Sequence, residues 1–152
     1  MKKIPLNRGV LLSRLEEIRR DVEELKFFQQ ISLEEFNKGH NFAIAEHYLR
    51  RSLEATFDIG SHILSRIPGA RPTTYKGVAA LLGKYKIIPK DFAEEKLVKM
   101  AGYRNRLIHF YYEIKERELY QIIQNNMKDI EKFCCYIKKV IESPKKFGFE
   151  IR

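Results

Sequence analysis

Apolar residues recur along this chain at the alternating three- and four-residue spacing of amphipathic helices. The first such run extends from about Asn7 to Gln30, with charged residues on its remaining faces. Its apolar face comprises Leu11, Leu15, Ile18, Val22 and Leu25. Ser32 and Glu35 then have the spacing of a capping box, which predicts a short helix ending near Gly39.

The rest of the chain predicts further helices and no strand of any length. The predicted helices run from about Asn41 to Arg66, from Tyr75 to Lys84, from Pro89 to about Tyr112, and from Glu116 to Ser143. The clearest loop lies at residues 68–72, which contain two prolines and a glycine. We therefore expect an all-α fold, an antiparallel bundle of four to six helices, with residues 1–152 in a single domain. The tail after the last helix is expected to be short and mostly polar.

The charge balance of the chain points to polyanionic partners. The chain has 29 Lys and Arg against 20 Asp and Glu in 152 residues, for a net charge of +9. A basic surface of this kind favours RNA, DNA, nucleotides or an acidic protein, although simple solubility would also explain it. The 44% hydrophobic content and few Gly and Pro exclude a disordered chain.

Several other classes of protein are disfavoured by what the sequence contains. No apolar run approaches the length of a membrane span, and the first residues lack the apolar core of a signal peptide. Cys134 and Cys135 are adjacent, which does not favour a disulfide between them, and no Cys or His pattern suggests zinc. We expect a cytoplasmic protein without a membrane partner, metal or cofactor.

The segment from Arg104 to Tyr111 concentrates chemically active side chains on one predicted helix. Arg104 can hold a phosphate through a forked pair of charge-assisted hydrogen bonds, and His109 can transfer a proton near neutral pH. Tyr111 is seven residues from Arg104, on nearly the same line of the helix, and Asn105 is four residues before His109. Arg104 and His109 are about 140° apart. Another surface is therefore expected to complete the site, and a second copy of the helix across a two-fold axis would supply it.

A plainer interpretation of the same residues is open at this point. His109 could be a satisfied interior histidine, Arg104 a surface ion-pair partner of a nearby glutamate, and Tyr111 a packing residue. Arg106 adds a cation that could contact RNA or simply be solvated. Elsewhere, His62 lies beside the apolar face of its predicted helix and is expected to be a packed core residue.

The order Arg104, four residues, His109, one residue, Tyr111 resembles the motif of HepT-like toxins of the HEPN superfamily. The resemblance extends to the stretch from Arg51 to Leu64 and to the segment from Gly77 to Pro89, so that it covers nearly the whole chain.

The resemblance implies a homodimeric, metal-independent endoribonuclease that acts as the toxin of a toxin–antitoxin pair. It implies that Arg104 holds the scissile phosphate, His109 is the general acid or base, and Asn105 orients one of them. Attack by the ribose 2′-hydroxyl would leave a 2′,3′-cyclic phosphate, so that RNA and not DNA is cut. The partner would be a minimal nucleotidyltransferase antitoxin that transfers AMP to Tyr111 and silences the toxin.

Two other classes of function remain as alternatives. Related helical proteins serve as non-catalytic binding subunits that present a nucleotide or substrate to a nucleotidyltransferase. The presence of both Arg104 and His109 favours the nuclease, because a passive binding subunit has no evident need for the pair. A plain interaction bundle with a basic surface is the third possibility, and it would tolerate loss of both residues.

Overall fold

The computed structural model describes residues 3–109 and 113–152 as a helical bundle closed at one end by a small parallel β-pair. In chain order, the first half comprises β1 (Ile4–Leu6), α1 (Arg8–Gln29), α2 (Leu33–Phe36), α3 (Asn41–Arg66) and α4 (Tyr75–Lys84). A continuous helical run follows, made of α5 (Lys90–Phe92), one π-helical turn (Ala93–Leu97) and α6 (Val98–His109). The chain ends with α7 (Glu116–Glu142), a 3₁₀ turn (Pro144–Phe147) and β2 (Phe149–Ile151). The expected all-α bundle is confirmed.

Most of the predicted helix ends agree with the structure. Ser32 caps α2 by accepting a hydrogen bond from the backbone N–H of Glu35 at 3.1 Å. The short helix nevertheless ends at Phe36, before the predicted Gly39, and the Asn41 side chain of α3 donates a hydrogen bond to the carbonyl of Glu35. The predicted end of the motif helix, about Tyr112, lies outside the described residues.

The expectation of no strands was wrong for the two ends of the chain. β1 and β2 pair in parallel, with Ile4 opposite Phe149 and Leu6 opposite Ile151. Strands of three residues are too short to show alternation in a sequence, and their pairing joins segments from opposite ends of the chain. The tail was expected to be mostly polar, but it contributes Phe149 to the core, where this side chain is only 1% exposed.

Two ion pairs join α1 and α3 and are consistent with their antiparallel register. Arg14 of α1 lies 3.4 Å from Asp58 of α3 (Nε to Oδ2), and Asp21 of α1 lies 3.6 Å from Arg51 of α3 (Oδ2 to Nε). The pairs are two turns apart on both helices, so a shift by one turn would break both. Burial raises the pKa of Asp21, although Arg51 opposes the shift.

Helix α3 runs through the centre of the bundle and packs against α1, α4, α6 and α7. Two glycines allow the closest approaches around α4. A Cβ on Gly60 of α3 would lie 2.8 Å from Val78, and a Cβ on Gly83 of α4 would lie 2.7 Å from the Cβ of Ala93. These contacts hold α4 tightly between α3 and the π-helical turn, and therefore set the position of its first residue, Tyr75.

His62 is half-buried and links α3 to the start of α1, so it is not the fully packed core residue that was expected. Its Nε2 accepts a hydrogen bond from the backbone N–H of Asn7 at 3.2 Å, and Asn7 in turn caps α1. Burial, with a smaller contribution from Arg66, lowers the pKa of His62. Only the neutral ring can accept this hydrogen bond, so the contact and the pKa shift agree.

The close contact at Gly83 predicts a stability change of defined sign. We expect Gly83→Ala to lower the free energy of unfolding by about 1–3 kcal/mol, since the new methyl group has no room beside Ala93. Gly102→Ala is the matched control, because its Cβ would meet only the end of Lys76 at 3.9 Å. It should raise stability by about 0.5–1 kcal/mol. Urea denaturation of both variants measures the difference, and equal shifts would contradict the packing.

The lowered pKa of His62 predicts a pH dependence of stability. Between the lowered pKa of the folded state and the unfolded value of about 6.5, the unfolded state binds more protons, so stability is lost as the pH falls through this range. His62→Gln offers a carbonyl oxygen to Asn7 and does not titrate. Thermal melts from about pH 7.5 to 5.5 should therefore show a steeper loss of Tm for the native protein than for this variant. Parallel curves would show that His62 does not carry the effect.

Candidate functional site

Three of the residues singled out in the sequence line one cleft. Arg104, Asn105 and His109, all on α6, face the start of α4 and the loop before it across a space of about 990 Å³. Another surface was expected to complete the site, and α4 and residues 70–74 of the same chain form one wall of the cleft. The described residues that line it are Ser61, Ser65, Ala70, Arg71, Pro72, Thr73, Thr74, Tyr75, Val78, Arg104, Asn105 and His109.

Arg104 is held by an aromatic ring. Its guanidinium carbon lies 3.7 Å from the centre of the Tyr75 ring, within the range of a cation–π interaction. The same group donates hydrogen bonds to the Tyr75 hydroxyl at 3.1 Å and to Oδ1 of Asn105 at 3.3 Å. Its Nε is buried and has no hydrogen-bond partner among the described residues. The guanidinium is thus fixed in orientation by neutral groups.

The ring that holds Arg104 is itself fixed from the core. Tyr75 is the first residue of α4 and packs edge-on against Phe57, with ring centres 5.7 Å apart. Phe57 is 1% exposed. Thr74 caps α4 by accepting a hydrogen bond from the backbone N–H of Gly77 at 2.9 Å. A series of contacts therefore runs from the buried Phe57 through Tyr75 to the cation in the cleft.

The charge of the cleft is positive. The described lining contains Arg71, Arg104 and His109 and no carboxylate, and the N-terminus of α4, which favours anions, is also at its edge. Within the described residues, no salt bridge involves Arg104. The ion-pair interpretation of Arg104 therefore finds no support in this part of the chain, and the cation is available to an anion that enters the cleft.

Arg106, two residues further along α6, has a different environment. Its Nε is 3.2 Å from a carboxylate oxygen of Glu113, and its Nη2 donates to Glu118 at 2.9 Å. Two carboxylates thus match its charge and tie the end of α6 to the start of α7. Neither partner could be identified from helical spacing, because both lie beyond the helix. The role of Arg106 as an RNA contact stays a prediction. In the structure, its ion pairs also link α6 to α7.

His109 and Asn105 occupy neighbouring turns of α6. His109 is an exposed residue at the end of the described helix and lines the cleft, and Asn105 lies between it and Arg104 along that wall. The structure thus brings the predicted acid or base into the cleft that contains the predicted phosphate-binding group. Tyr111, the predicted site of modification, lies outside the described residues.

The residues that build the opposite wall were not identified from the sequence. The sequence indicated Tyr75 only as the first residue of a helix and Arg71 only as part of a loop, and Thr74 was not singled out. The proline-rich loop followed by a capping threonine was a usable sign of a helix N-terminus. Nothing in a single sequence linked that N-terminus to Arg104, which is 29 residues further along the chain.

Two properties of the described residues bear on other kinds of site. No group of three or more His, Cys, Asp or Glu side chains in residues 3–109 and 113–152 is arranged to hold a metal ion. None of the helices in this part of the chain has both the length and the apolar character that a membrane span needs.

Known proteins provide a comparison for this fold and cleft. The model of the family described as ribonuclease HepT-like matches residues 15–137. A tRNA nuclease HepT from Aphanizomenon flos-aquae is 32% identical over 115 residues, which cover 75% of this chain and 78% of that protein. An mRNA nuclease HepT from Shewanella oneidensis is 30% identical over 90 residues, covering 59% of this chain and 67% of that protein.

Solved structures share the fold at lower sequence identity. A tri-AMPylated HEPN toxin of Shewanella oneidensis, in complex with an MNT antitoxin, has a TM-score of 0.76 at 23% identity and covers 86% of this chain and 97% of its own. A cytosolic protein of unknown function, YutE from Bacillus subtilis, has a TM-score of 0.78 at 17% identity over 95% of both chains. The family match over residues 15–137 confirms the resemblance and the expected enzyme class, an endoribonuclease: the chain belongs to the HepT-like ribonuclease family.

Proposed function

We propose that this protein is a metal-independent endoribonuclease and the toxin of a toxin–antitoxin pair, with the cleft between α4 and α6 as its catalytic site. The observation that carries the proposal is the environment of Arg104, a cation held over the Tyr75 ring at 3.7 Å with no carboxylate partner among the described residues. A preorganised, un-neutralised guanidinium suits a phosphodiester that gains charge in the transition state. The assignment of the two relatives as nucleases of tRNA and mRNA supports the same class of substrate.

The proposed reaction uses the ribose 2′-hydroxyl as nucleophile. The 2′-oxygen attacks the adjacent phosphorus, the bond from phosphorus to the 5′-oxygen breaks, and a 2′,3′-cyclic phosphate remains. Arg104 binds the non-bridging oxygens through its fork of N–H donors, and Asn105 keeps the guanidinium in place. Because DNA lacks the 2′-hydroxyl, only RNA has the nucleophile.

His109 is proposed to transfer the protons of this reaction. One proton must leave the 2′-hydroxyl and one must reach the departing 5′-oxygen. A single imidazole serves as base or as acid within one step, so a second group is needed for the other transfer. A homodimer that joins two copies of the cleft would supply a second His109, and we propose this arrangement for the active enzyme. General acid–base catalysis of this kind contributes about 10²–10⁴ in rate.

The donor set of the cleft fits phosphate better than a divalent metal. Mg²⁺ and similar ions prefer carboxylate and carbonyl oxygens. The described lining carries arginine and histidine instead, with no carboxylate among these residues. The charge that a metal would neutralise is therefore assigned to Arg104 and to the N-terminus of α4.

Tyr111 is proposed as the point of control. A nucleotidyltransferase antitoxin would transfer AMP from ATP to its hydroxyl and release pyrophosphate. The helical spacing in the sequence puts Tyr111 seven residues after Arg104, and an added phosphate there would compete for the same cation. The solved complex of an AMPylated HEPN toxin with its MNT antitoxin supports this class of partner. We place the pair in the cytoplasm, as the sequence predicts.

The proposal is tested by incubating the purified protein with labelled RNA in the presence of EDTA. We expect cleavage that leaves cyclic phosphate ends. Arg104→Ala and His109→Ala should each reduce the rate by about 10²-fold or more, since one removes the phosphate ligand and the other the proton transfer. Arg20→Ala and His40→Ala are matched controls, because both residues are exposed and neither is among the described residues that line the cleft, and they should retain full activity.

Two results would contradict the proposal. Folded protein that cleaves no RNA in a varied panel would favour a non-catalytic binding subunit of a nucleotidyltransferase. Cleavage that persists in both cleft variants would place the activity elsewhere. The same assay after treatment with ATP and the partner enzyme should show loss of cleavage for the native protein and no loss for Tyr111→Phe.

A further inference from the structure

A second groove lies at the other end of α4 from the catalytic cleft. It has a volume of about 790 Å³, and its lining includes Leu81, Ile87, Tyr136 and Phe147. A smaller cleft of about 390 Å³ adjoins it and shares Ile87 and Phe147 with it. We call the two together the lysine groove, because six lysines line them: Lys3, Lys84, Lys86, Lys90, Lys139 and Lys145.

The described lining of the lysine groove has almost no negative charge to balance its lysines. Glu94 is the one carboxylate among the described lining residues, and it lies 3.9 Å from Lys90. No ion pair among the described residues involves Lys84, Lys86 or Lys139. Lysines gathered around an apolar floor without counter-charges form a site for a polyanion.

The backbone at Lys86 places this side chain at the rim of the groove. Among the described residues, Lys86 is the single non-glycine residue with a positive φ, at 59°. A left-handed conformation is unfavourable for lysine and is taken more readily by glycine or asparagine. The turn buries the next two residues, Ile87 and Ile88, and leaves Lys86 exposed at the rim of the groove. This left-handed turn is the C-terminal cap of α4, in which the N–H of Lys86 donates to the carbonyl of Gly83 at 3.0 Å and that of Ile87 to the carbonyl of Leu82 at 2.9 Å.

Helix α4 connects the lysine groove to the catalytic cleft. Its first residue, Tyr75, holds Arg104, and its last, Lys84, lines the groove. A helix of ten residues is about 15 Å long, so one extended nucleic-acid strand of a few nucleotides can reach both sites. Lys76 and Lys84 are both exposed and lie near opposite ends of α4, about 80° apart around its axis, and they extend the positive charge between the two ends.

We propose that the lysine groove binds a single-stranded segment of the RNA substrate away from the bond that is cut. The inference rests on the proposed ribonuclease function and adds a second site to it. An RNA strand fits better than an acidic protein because the groove combines cations with aromatic rings. Tyr136 is half-buried, packs against Phe92 with ring centres 5.1 Å apart, and has Lys139 at 5.6 Å from its ring. Rings held in this way provide stacking surfaces for bases beside the phosphate-binding lysines.

The test is a binding measurement that does not depend on catalysis. Fluorescence anisotropy would follow a labelled single-stranded RNA with 2′-O-methyl riboses, which keeps its phosphates and bases but lacks the nucleophile. We expect the triple variant Lys84→Gln, Lys86→Gln, Lys139→Gln to bind about 10-fold or more weakly, and the slope of log K against log salt to fall by about 2, since each single-strand phosphate contact contributes about 0.7.

A control triple variant separates the groove from the overall charge. The control removes an equal number of positive charges, three, from the exposed surface of α1 and the turn after α2, through Arg20→Gln, Lys26→Gln and Lys38→Gln. This variant should bind the RNA as the native protein does, within about 2-fold. Equal weakening of both variants would overturn the proposal, because bulk charge would then account for binding. Unchanged RNA binding by the groove variant would also overturn the proposal. If the same variant lost binding to polyglutamate, the groove would be a site for an acidic protein and not for RNA.

Two further measurements separate RNA binding in the groove from the proposed ribonuclease activity and from a purely structural role of Lys86. If the protein cleaves RNA, the groove variant should lose kcat/KM on a long RNA and keep it on a trinucleotide, which occupies only the cleft. If the protein cleaves nothing, the anisotropy result still decides whether the groove binds RNA. Lys86→Asn should weaken binding with the Tm unchanged or raised, and a lowered Tm with unchanged binding would assign Lys86 a structural role only.

Discussion

The contact between Arg104 and Tyr75 is the interaction on which the cleft depends. Arg106 is balanced by the carboxylates of Glu113 and Glu118. Arg104 is instead stacked on a ring and hydrogen-bonded to neutral oxygens. An aromatic face attracts a cation without cancelling its charge, so the guanidinium keeps both its orientation and its positive field in the cleft. Two arginines two residues apart thus have opposite electrostatic environments.

The fold positions this contact through close packing on the other side of Tyr75. Phe57 in the centre of α3 supports the ring, and Gly60, one turn further along α3, lets α4 approach closely. Gly83 does the same between α4 and the π-helical turn that precedes α6. The helix that carries the ring and the helix that carries the cation are therefore located by the same buried contacts. Changes far from the cleft that move α4 should act on Arg104.

The long helices and their buried faces could be predicted from the sequence because each is specified locally. The predicted limits of α3, Asn41 and Arg66, are those of the structure, since its apolar periodicity is long and a proline follows shortly after its end. Arg104, Asn105 and His109 could likewise be found because they belong to one helix. Their shared cleft is in the structure, whereas their chemical roles stay predictions.

The features that the sequence could not show are those that join distant segments. Tyr75 contacts Arg104 across 29 positions, and the strand at Ile4 pairs with the one at Phe149. The π-helical turn at residues 93–97 has no characteristic amino-acid composition that would predict it. Lys86 has a left-handed backbone conformation, which a glycine at that position would have indicated in the sequence. Each of these features depends on packing between distant elements, and such packing produces no periodic pattern of apolar residues in a single sequence.

A double-mutant cycle between Tyr75 and Arg104 tests the central claim most directly. Single-turnover RNA cleavage would be measured for the native protein, Tyr75→Leu, Arg104→Lys and the double variant, with thermal melts to confirm that each is folded. If the ring acts by holding the guanidinium, Tyr75→Leu should slow cleavage in the native background and have little effect in the Arg104→Lys background, a coupling of about 0.5–2 kcal/mol. Equal losses in both backgrounds would contradict the account, because Tyr75 would then act independently of Arg104.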